Sequence, residues 1–262
     1  MAKKDYLWLQ IKDLPYFRGF LRAIEARFYE EFDLPQPTLD LGCGDGHFVQ
    51  IALDRKVEVG LDPWWDPLQE AVSRSSYSLP LQGFGNLMPF GDGTFNSVFS
   101  NSVLEHIPDL DPVIHEVSRV LKPGGIFAFC VPNHNFLSSL SIARFLDKIG
   151  LKRLASAYRR FFNRIARHYH CDDPVTWETR LDKAGFLVER WWHYFPPNFL
   201  AIMEWGHYFG FPALVSKKLF GRWILSPTRW NLALTDAVVR RAYESDPRHP
   251  LGTCTFYIAR KR

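Results

Sequence analysis

Cysteine is scarce in this 262-residue chain: Cys43, Cys130, Cys171 and Cys254 lie far apart, with no C-x-x-C pair. That argues against a disulfide framework and a zinc ribbon and reads as free thiols in a reducing compartment. No metal is expected. The opening "MAKKDYLWLQIKDLPYF" lacks an apolar core and a cleavage site, so export is not expected and the location read is cytoplasmic. Low-complexity tracts and blocks of like charge are missing, which argues against disorder. The net charge of +4 is too small to argue for or against nucleic acid. From Trp191 to Ser216 there is no Lys or Arg, and Glu204 is the only acid. Pro196, Pro197, Pro212, Asn198, His193 and His207 interrupt that stretch, so it reads as buried or interfacial rather than membrane-spanning.

What is present is apolar and aromatic residue, at 47% and 16% of the chain, enough for one substantial core. Over residues 15–32, Phe17, Phe20, Leu21, Ile24 and Phe28 recur at helical spacing, and Pro15 suits a helix start. Then strands and helices alternate. "TLDLG", "VEVGLD", "YSLPLQG", "FNSVFSNS" and "GIFAFCVP" read as strands; "HFVQIALD", "DPLQEAVSRS" and "LDPVIHEVSRVL" read as helices between them. The "KPGG" run at 122–125 punctuates a helix end before a buried strand. After a basic, aromatic excursion, "DPVTWETRLDKAGF" reads as a helix, and "LVERWWHYF" and "TCTFYIARKR" as the last two strands. Such alternation implies βαβ units and a parallel sheet. The expectation is a single α/β domain, a Rossmann-like doubly wound seven-stranded sheet. Lid insertions follow strand five and separate strands six and seven. Its parts are a helical cap (1–37), a nucleoside-binding core (38–131), a basic helical insertion (132–172), a core helix and strand (173–195), an aromatic lid (196–250) and the last strand (251–262).

The stretch "TLDLGCGDGHF" places Gly42, Gly44 and Gly46 directly after the first strand, where open parallel sheets bind ligands. No Lys-Ser/Thr pair follows Gly46, so the phosphate-cradling P-loop is excluded. The spacing G-x-G-x-G also departs from the dinucleotide pattern G-x-G-x-x-G. Asp62, at the end of strand two, can accept both hydroxyls of a ribose, a feature shared by nicotinamide and adenosyl-sulfonium sites. Asp40 is more selective: a carboxylate there repels a pyrophosphate and attracts an ammonium or sulfonium.

Together "LDLGCGDG", "GLDP", "LMPFGDGTFNSVFSNSVLEHI" and "EVSRVLKPGG" resemble class I S-adenosylmethionine (SAM)-dependent methyltransferases of the broad type 11 or small-molecule kind. The resemblance covers roughly residues 38–131, with a weaker echo in "LDKAGFLVERWW". It implies SAM as cofactor and methyl transfer to O, N or C of a small-molecule or lipid-like acceptor. It also implies that Gly42, Cys43, Gly44 and Gly46 line the methionine and ribose, with Asp40 near the amino group and Asp62 on the ribose diol. Pro63 and Trp64 would cover the adenine, and Asn101, Ser102 and Val103 would flank the sulfonium. Two positions depart from the family pattern. Phe84 stands where an Asp usually accepts the adenine amino group, leaving Gly85 and Asn86 to serve that edge. Asn96 replaces the usual Asp after the aromatic residue. Rival readings are a nicotinamide oxidoreductase and a non-catalytic SAM-binding module on the same fold.

In-line methyl transfer draws on alignment in a dry site, and needs a base only for a protonated acceptor of high pKa. His106 in "LEHI" and His134 in "VPNHN" are the candidate catalytic residues; for each, a structural role is the alternative. "ARHYHCDD" superficially resembles a metal cluster but lacks a further spaced ligand set. Between Arg144 and Arg167 eight Lys or Arg face one acid, Asp147. This basic, amphipathic segment is open to three readings: a solvated lid face, a surface touching anionic lipid, or an RNA-contacting patch. No RNA-binding motif supports the last, and no nucleic-acid partner is expected.

Overall fold

The computed structural model describes residues 4–262. Its strands are β1 (Thr38–Leu41), β2 (Val57–Asp62), β3 (Tyr77–Gln82), β4 (Phe95–Asn101), β5 (Leu121–Pro132), β6 (Phe186–Tyr194) and β7 (Cys254–Lys261). They form one sheet in the order β3-β2-β1-β4-β5-β7-β6. The first five strands are parallel, as the alternation predicts. The last is not: β7 runs antiparallel between β5 and β6. Register explains this correction. Tyr194 pairs with Cys254, so the chain leaves β6 and re-enters the sheet at the same edge and must run back. Pro132, where β5 ends, also pairs with Cys254. Both insertions therefore emerge at the carboxyl end of the parallel strands, the end at which such sheets bind ligands.

The helices are α1 (Tyr6–Ile11), α2 (Tyr16–Phe28), α3 (His47–Ala52), α4 (Trp65–Arg74), α5 (Asp111–Val120), α6 (Ser141–Lys148), α7 (Lys152–Ala166), α8 (Pro174–Lys183), α9 (Pro197–Phe209), α10 (Phe211–Phe220) and α11 (Ala233–Glu244). The short α1 has no counterpart in the periodicity reading, and α2 stops four residues before the expected end at 32. Asp173 caps α8 by accepting the Thr176 amide at 2.8 Å, with Pro174 in the first turn. The "KPGG" run loops out of β5 between the Phe95–Leu121 and Ser97–Ile126 pairings. Pro80 lies in β3, an edge strand with one neighbour, where its missing donor is tolerated.

Side chains on β5 alternate between two cores. Phe127 and Phe129 join Val98, Val117, Trp177 and Tyr257 on one face. Ala128 and Cys130 join Phe20, Phe28, Phe99 and Phe256 under α2 on the other. The N-terminal helices thus close one side of the sheet beside the ligand-binding edge.

Glu204 explains the lone acid of the 191–216 stretch. Fully buried on α9, it accepts the Ser141 and Ile142 amides at 2.6 and 3.2 Å and the Tyr158 hydroxyl at 2.7 Å. The first two are unpaired donors at the start of α6, where a negative charge is favoured. One carboxylate therefore fastens α6, α7 and α9 together. Among the described residues no helix is long and apolar enough to cross a membrane.

Candidate active site

The loop after β1 has a left-handed backbone at each of its glycines, with φ of +79° at Gly42, +53° at Gly44 and +69° at Gly46. Other residues adopt that region at a cost of about 1 kcal/mol or more. A β-carbon on Gly42 would lie 2.4 Å from Val103 Cγ1, whereas one on Gly44 would meet nothing within 4 Å. The first glycine closes the loop onto the end of β4; the second faces open space. Gly42 and Cys43 donate to the Leu61 carbonyl at 2.8 and 3.2 Å. Asp62 completes the anchorage, accepting the Gly44 amide at 2.8 Å and the Trp64 amide at 2.9 Å. Burial raises the Asp62 pKa against the pull of these two donors. Beyond it, Pro63 is half-buried and the Trp64 indole is 71% exposed, a free aromatic face at the mouth of the loop.

Asp40 points away from water: it is 4% exposed, and the Tyr77 hydroxyl donates to it at 2.6 Å. Burial pushes its pKa up to about 7, with the Tyr77 bond and Arg22 opposing and Asp62 adding to the rise. A cation brought beside it would favour the ionised form. Arg22, on α2, escaped the sequence reading. Its charge acts on Asp40, Asp45 and Glu25. At Asp45 burial works upward, but Arg22 and the His47 amide hold the carboxyl below its usual range. Among the described residues Arg22 forms no ion pair of its own.

The side chains of Asn101 and Ser102 are tied to a carboxylate on α2. Glu25 accepts Asn101 Nδ2 at 2.7 Å, Ser102 Oγ at 3.1 Å and the Tyr194 hydroxyl at 2.7 Å. Burial raises the Glu25 pKa, and the three donors resist. Cys130 Sγ donates to Asn101 Oδ1 at 3.2 Å, and Ser102 has a left-handed φ of +55°. Val103 packs on Gly42. One sequence signal for Glu25 existed: it lies inside the apolar stripe of α2, between Leu21 and Phe28 at helical spacing.

After β3, Phe84 is 68% exposed, Gly85 is half-buried and Asn86 is exposed. Asn96 donates to the Gln36 carbonyl, a structural use for the second departure from the family pattern. His106 is exposed at the mouth of β4, its Nδ1 3.0 Å from the Arg167 carbonyl. His134 is exposed too, with its ring 5.8 Å from that of His193. His168 lies 5.4 Å from His106, ring to ring, while His170 Nε2 turns to the Ile107 carbonyl at 3.0 Å.

Residues 39–129 match a family described as a methyltransferase domain. A methyltransferase of undetermined specificity from Synechocystis is 38% identical over 165 residues, which cover 59% of this chain and 68% of that one. Malonyl-[acyl-carrier protein] O-methyltransferase of Methylovorus is 30% identical over 139 residues, 47% of each chain. The fold is shared with phosphoethanolamine N-methyltransferase 2 of Haemonchus contortus, solved with SAM, at a TM-score of 0.59 and 19% identity over 98% of this chain and 56% of that one. The chain belongs to the class I SAM-dependent methyltransferases. It is an enzyme, and SAM is its methyl donor. The residues present fit that donor: an open glycine cradle, an anchored acid at the end of β2 and an exposed indole beside it.

Proposed function

We propose that this enzyme methylates an amphiphilic, lipid-like small molecule drawn from a membrane surface. The observation that carries the reading is the outer face of α7. Leu151, Leu154, Phe161 and Ile165 recur at helical spacing there and are 44–55% exposed. Arg153, Arg160 and Arg164 are exposed beside them, with Lys152, Ser156 and Ala157 also at the surface. An amphipathic helix with its apolar stripe turned outward and arginines beside it suits the boundary of an anionic bilayer. An apolar cavity of about 520 Å³ among Tyr16, Ile202, Trp205, Phe209, Leu234 and Val238 adds room for a hydrocarbon group.

Within this reading SAM supplies an electrophilic methyl group. Asp62 takes the ribose hydroxyls, Pro63 and Trp64 cover the adenine, and Gly85 and Asn86 meet its edge. Gly42, Cys43, Gly44 and Gly46 line the methionine portion, with Asp40 toward its ammonium and Arg22 toward its carboxylate. Asn101, Ser102 and Val103 border the methyl group, with Glu25 holding the first two in place. The protein's contribution is alignment and exclusion of water.

The test incubates the enzyme with methyl-labelled SAM and vesicles of phosphatidylglycerol and phosphatidylcholine containing a total lipid extract. The reading expects label in the organic phase, and co-sedimentation that needs the anionic lipid and is lost in an Arg153→Gln, Arg160→Gln, Arg164→Gln variant. Arg159 is left intact, because it is engaged by Asp147 at 2.6 Å and by the Leu137 carbonyl. Label confined to water-soluble compounds, with no vesicle binding, overturns it. Label on an acyl-carrier protein instead would favour the acceptor class named for the Methylovorus relative.

A further inference from the structure

Three side chains from two distant segments converge just beyond β4. Glu105 and His106 lie on the short 3-10 turn Leu104–His106, and His168 follows α7. One ligand-capable atom from each lies within 4.8 Å of the other two. His106 Nε2 is already 3.7 Å from Glu105 Oε1. Ligands around a tetrahedral ion at ordinary bond lengths stand about 3.3 Å apart, so the first pair is nearly in place and the third closes by side-chain rotation.

Two further features point to a ligand. Glu105 is 2% exposed, and its Oε2 is buried with no hydrogen-bond partner. A buried carboxylate oxygen without a donor is costly, and among the described residues the carboxylate has only His106 within ion-pair distance, through its other oxygen, Oε1. His106 is also oriented from behind. Its Nδ1 faces the Arg167 carbonyl, which can only accept, so Nδ1 carries the proton and Nε2 presents a lone pair toward Glu105. That carbonyl is placed by the left-handed turn ending α7, where Arg167 has φ +57°. The Arg167 side chain is exposed. Cys171 Sγ lies 3.7 Å from His168 Nδ1 and holds that edge of the ring.

We propose that Glu105, His106 and His168 bind one divalent first-row transition ion through a carboxylate oxygen and two imidazole nitrogens. This donor set suits Zn²⁺ or Fe²⁺ better than Mg²⁺ or Ca²⁺. Three protein ligands leave coordination positions open, and the His106 side chain is 42% exposed, so the ion is reachable from solvent. It would stand three residues past Ser102, on the acceptor side of the strand ends. The inference assigns His106 Nε2 to the ion rather than to an acceptor's proton, and it stands independently of the lipid-like acceptor.

The test titrates Co²⁺ by visible absorption and Zn²⁺ by calorimetry into the whole chain carrying no histidine tag. One equivalent of either ion is expected to bind. Glu105→Gln, His106→Ala and His168→Ala should each weaken uptake roughly 100-fold or more. Binding of S-adenosylhomocysteine, measured on the same samples, reports that each variant is folded; the exposed His106 is the change least able to disturb the fold. No uptake by the unaltered chain, or uptake of equal strength in the three folded variants, overturns the proposal.

Discussion

Asn101 Nδ2 donates to Glu25 Oε2 at 2.7 Å, joining the end of β4 to the middle of α2 across 76 positions of sequence. The helix that closes one face of the sheet therefore also sets the side chains at the carboxyl end of β4. Since Ser102 and Tyr194 donate to the same carboxylate, Glu25 orients three elements at once.

Replacing Glu25 should accordingly damage stability and rate together. Glu25→Ala leaves the buried Tyr194 hydroxyl and the half-buried Asn101 and Ser102 donors unpaired and is expected to cost roughly 2–4 kcal/mol in urea unfolding. Glu25→Gln keeps acceptor oxygen and volume, so it should recover more than half of that loss while still lowering turnover. Equal stability for the unaltered chain and Glu25→Ala would remove Glu25 from this role.

Asp40 makes stability depend on pH with a definite sign. Its folded-state pKa of about 7 lies above the ordinary value of 3.8. Below the lower value the proton is bound in both states. As pH rises toward the upper value only the unfolded chain releases it, and stability falls. Asp40→Asn, which still accepts from Tyr77, should gain stability relative to the unaltered chain over that interval and hold the gain above it. Urea unfolding at stepped pH measures this. SAM affinity should rise several-fold from about pH 6 to about pH 8 in the unaltered chain and stay flat in Asp40→Asn.

At the cofactor pocket the two changes to compare are Asp62→Ala and Trp64→Ala. Asp62→Ala removes the proposed ribose acceptor and also frees the Gly44 and Trp64 amides, so the loss in S-adenosylhomocysteine affinity should be roughly 2–3 kcal/mol. Trp64→Ala removes only a stacking face and should cost about tenfold. Calorimetry separates the two, and an Asp62→Ala variant with unchanged affinity would contradict the assignment.

Glu204→Ala should loosen both insertions without touching the glycine loop. Loss of an acceptor for two α6 amides and the Tyr158 hydroxyl is expected to cost about 2 kcal/mol. Hydrogen exchange should accelerate across residues 141–166 and remain slow in β1 and β4.

How far this enzyme can be read from its sequence depends on how local each interaction is. The β/α alternation, the glycine loop and Asp62 all follow from neighbours a few residues apart: strand period, turn-forming glycines and an acid at a strand end. Phe84 and Asn96 were visible as departures for the same reason. Other features rest on contacts between distant segments. The direction of β7 was decided by where a 50-odd-residue excursion re-enters the sheet. The sequence marks Glu25 as an acid within an apolar stripe and Glu204 as the lone acid of an apolar stretch, but names no partner for either, and Glu105 carries no such mark. Packing removes each of them from water, and a buried carboxylate must then find donors or an ion wherever the fold brings them. Glu25 finds Asn101, Ser102 and Tyr194, Glu204 finds the start of α6, and Glu105 finds two histidines, one of them 63 positions away. Sequence spacing dictated the local turns and periods, while the partner of each buried charge was settled only by desolvation in the assembled fold.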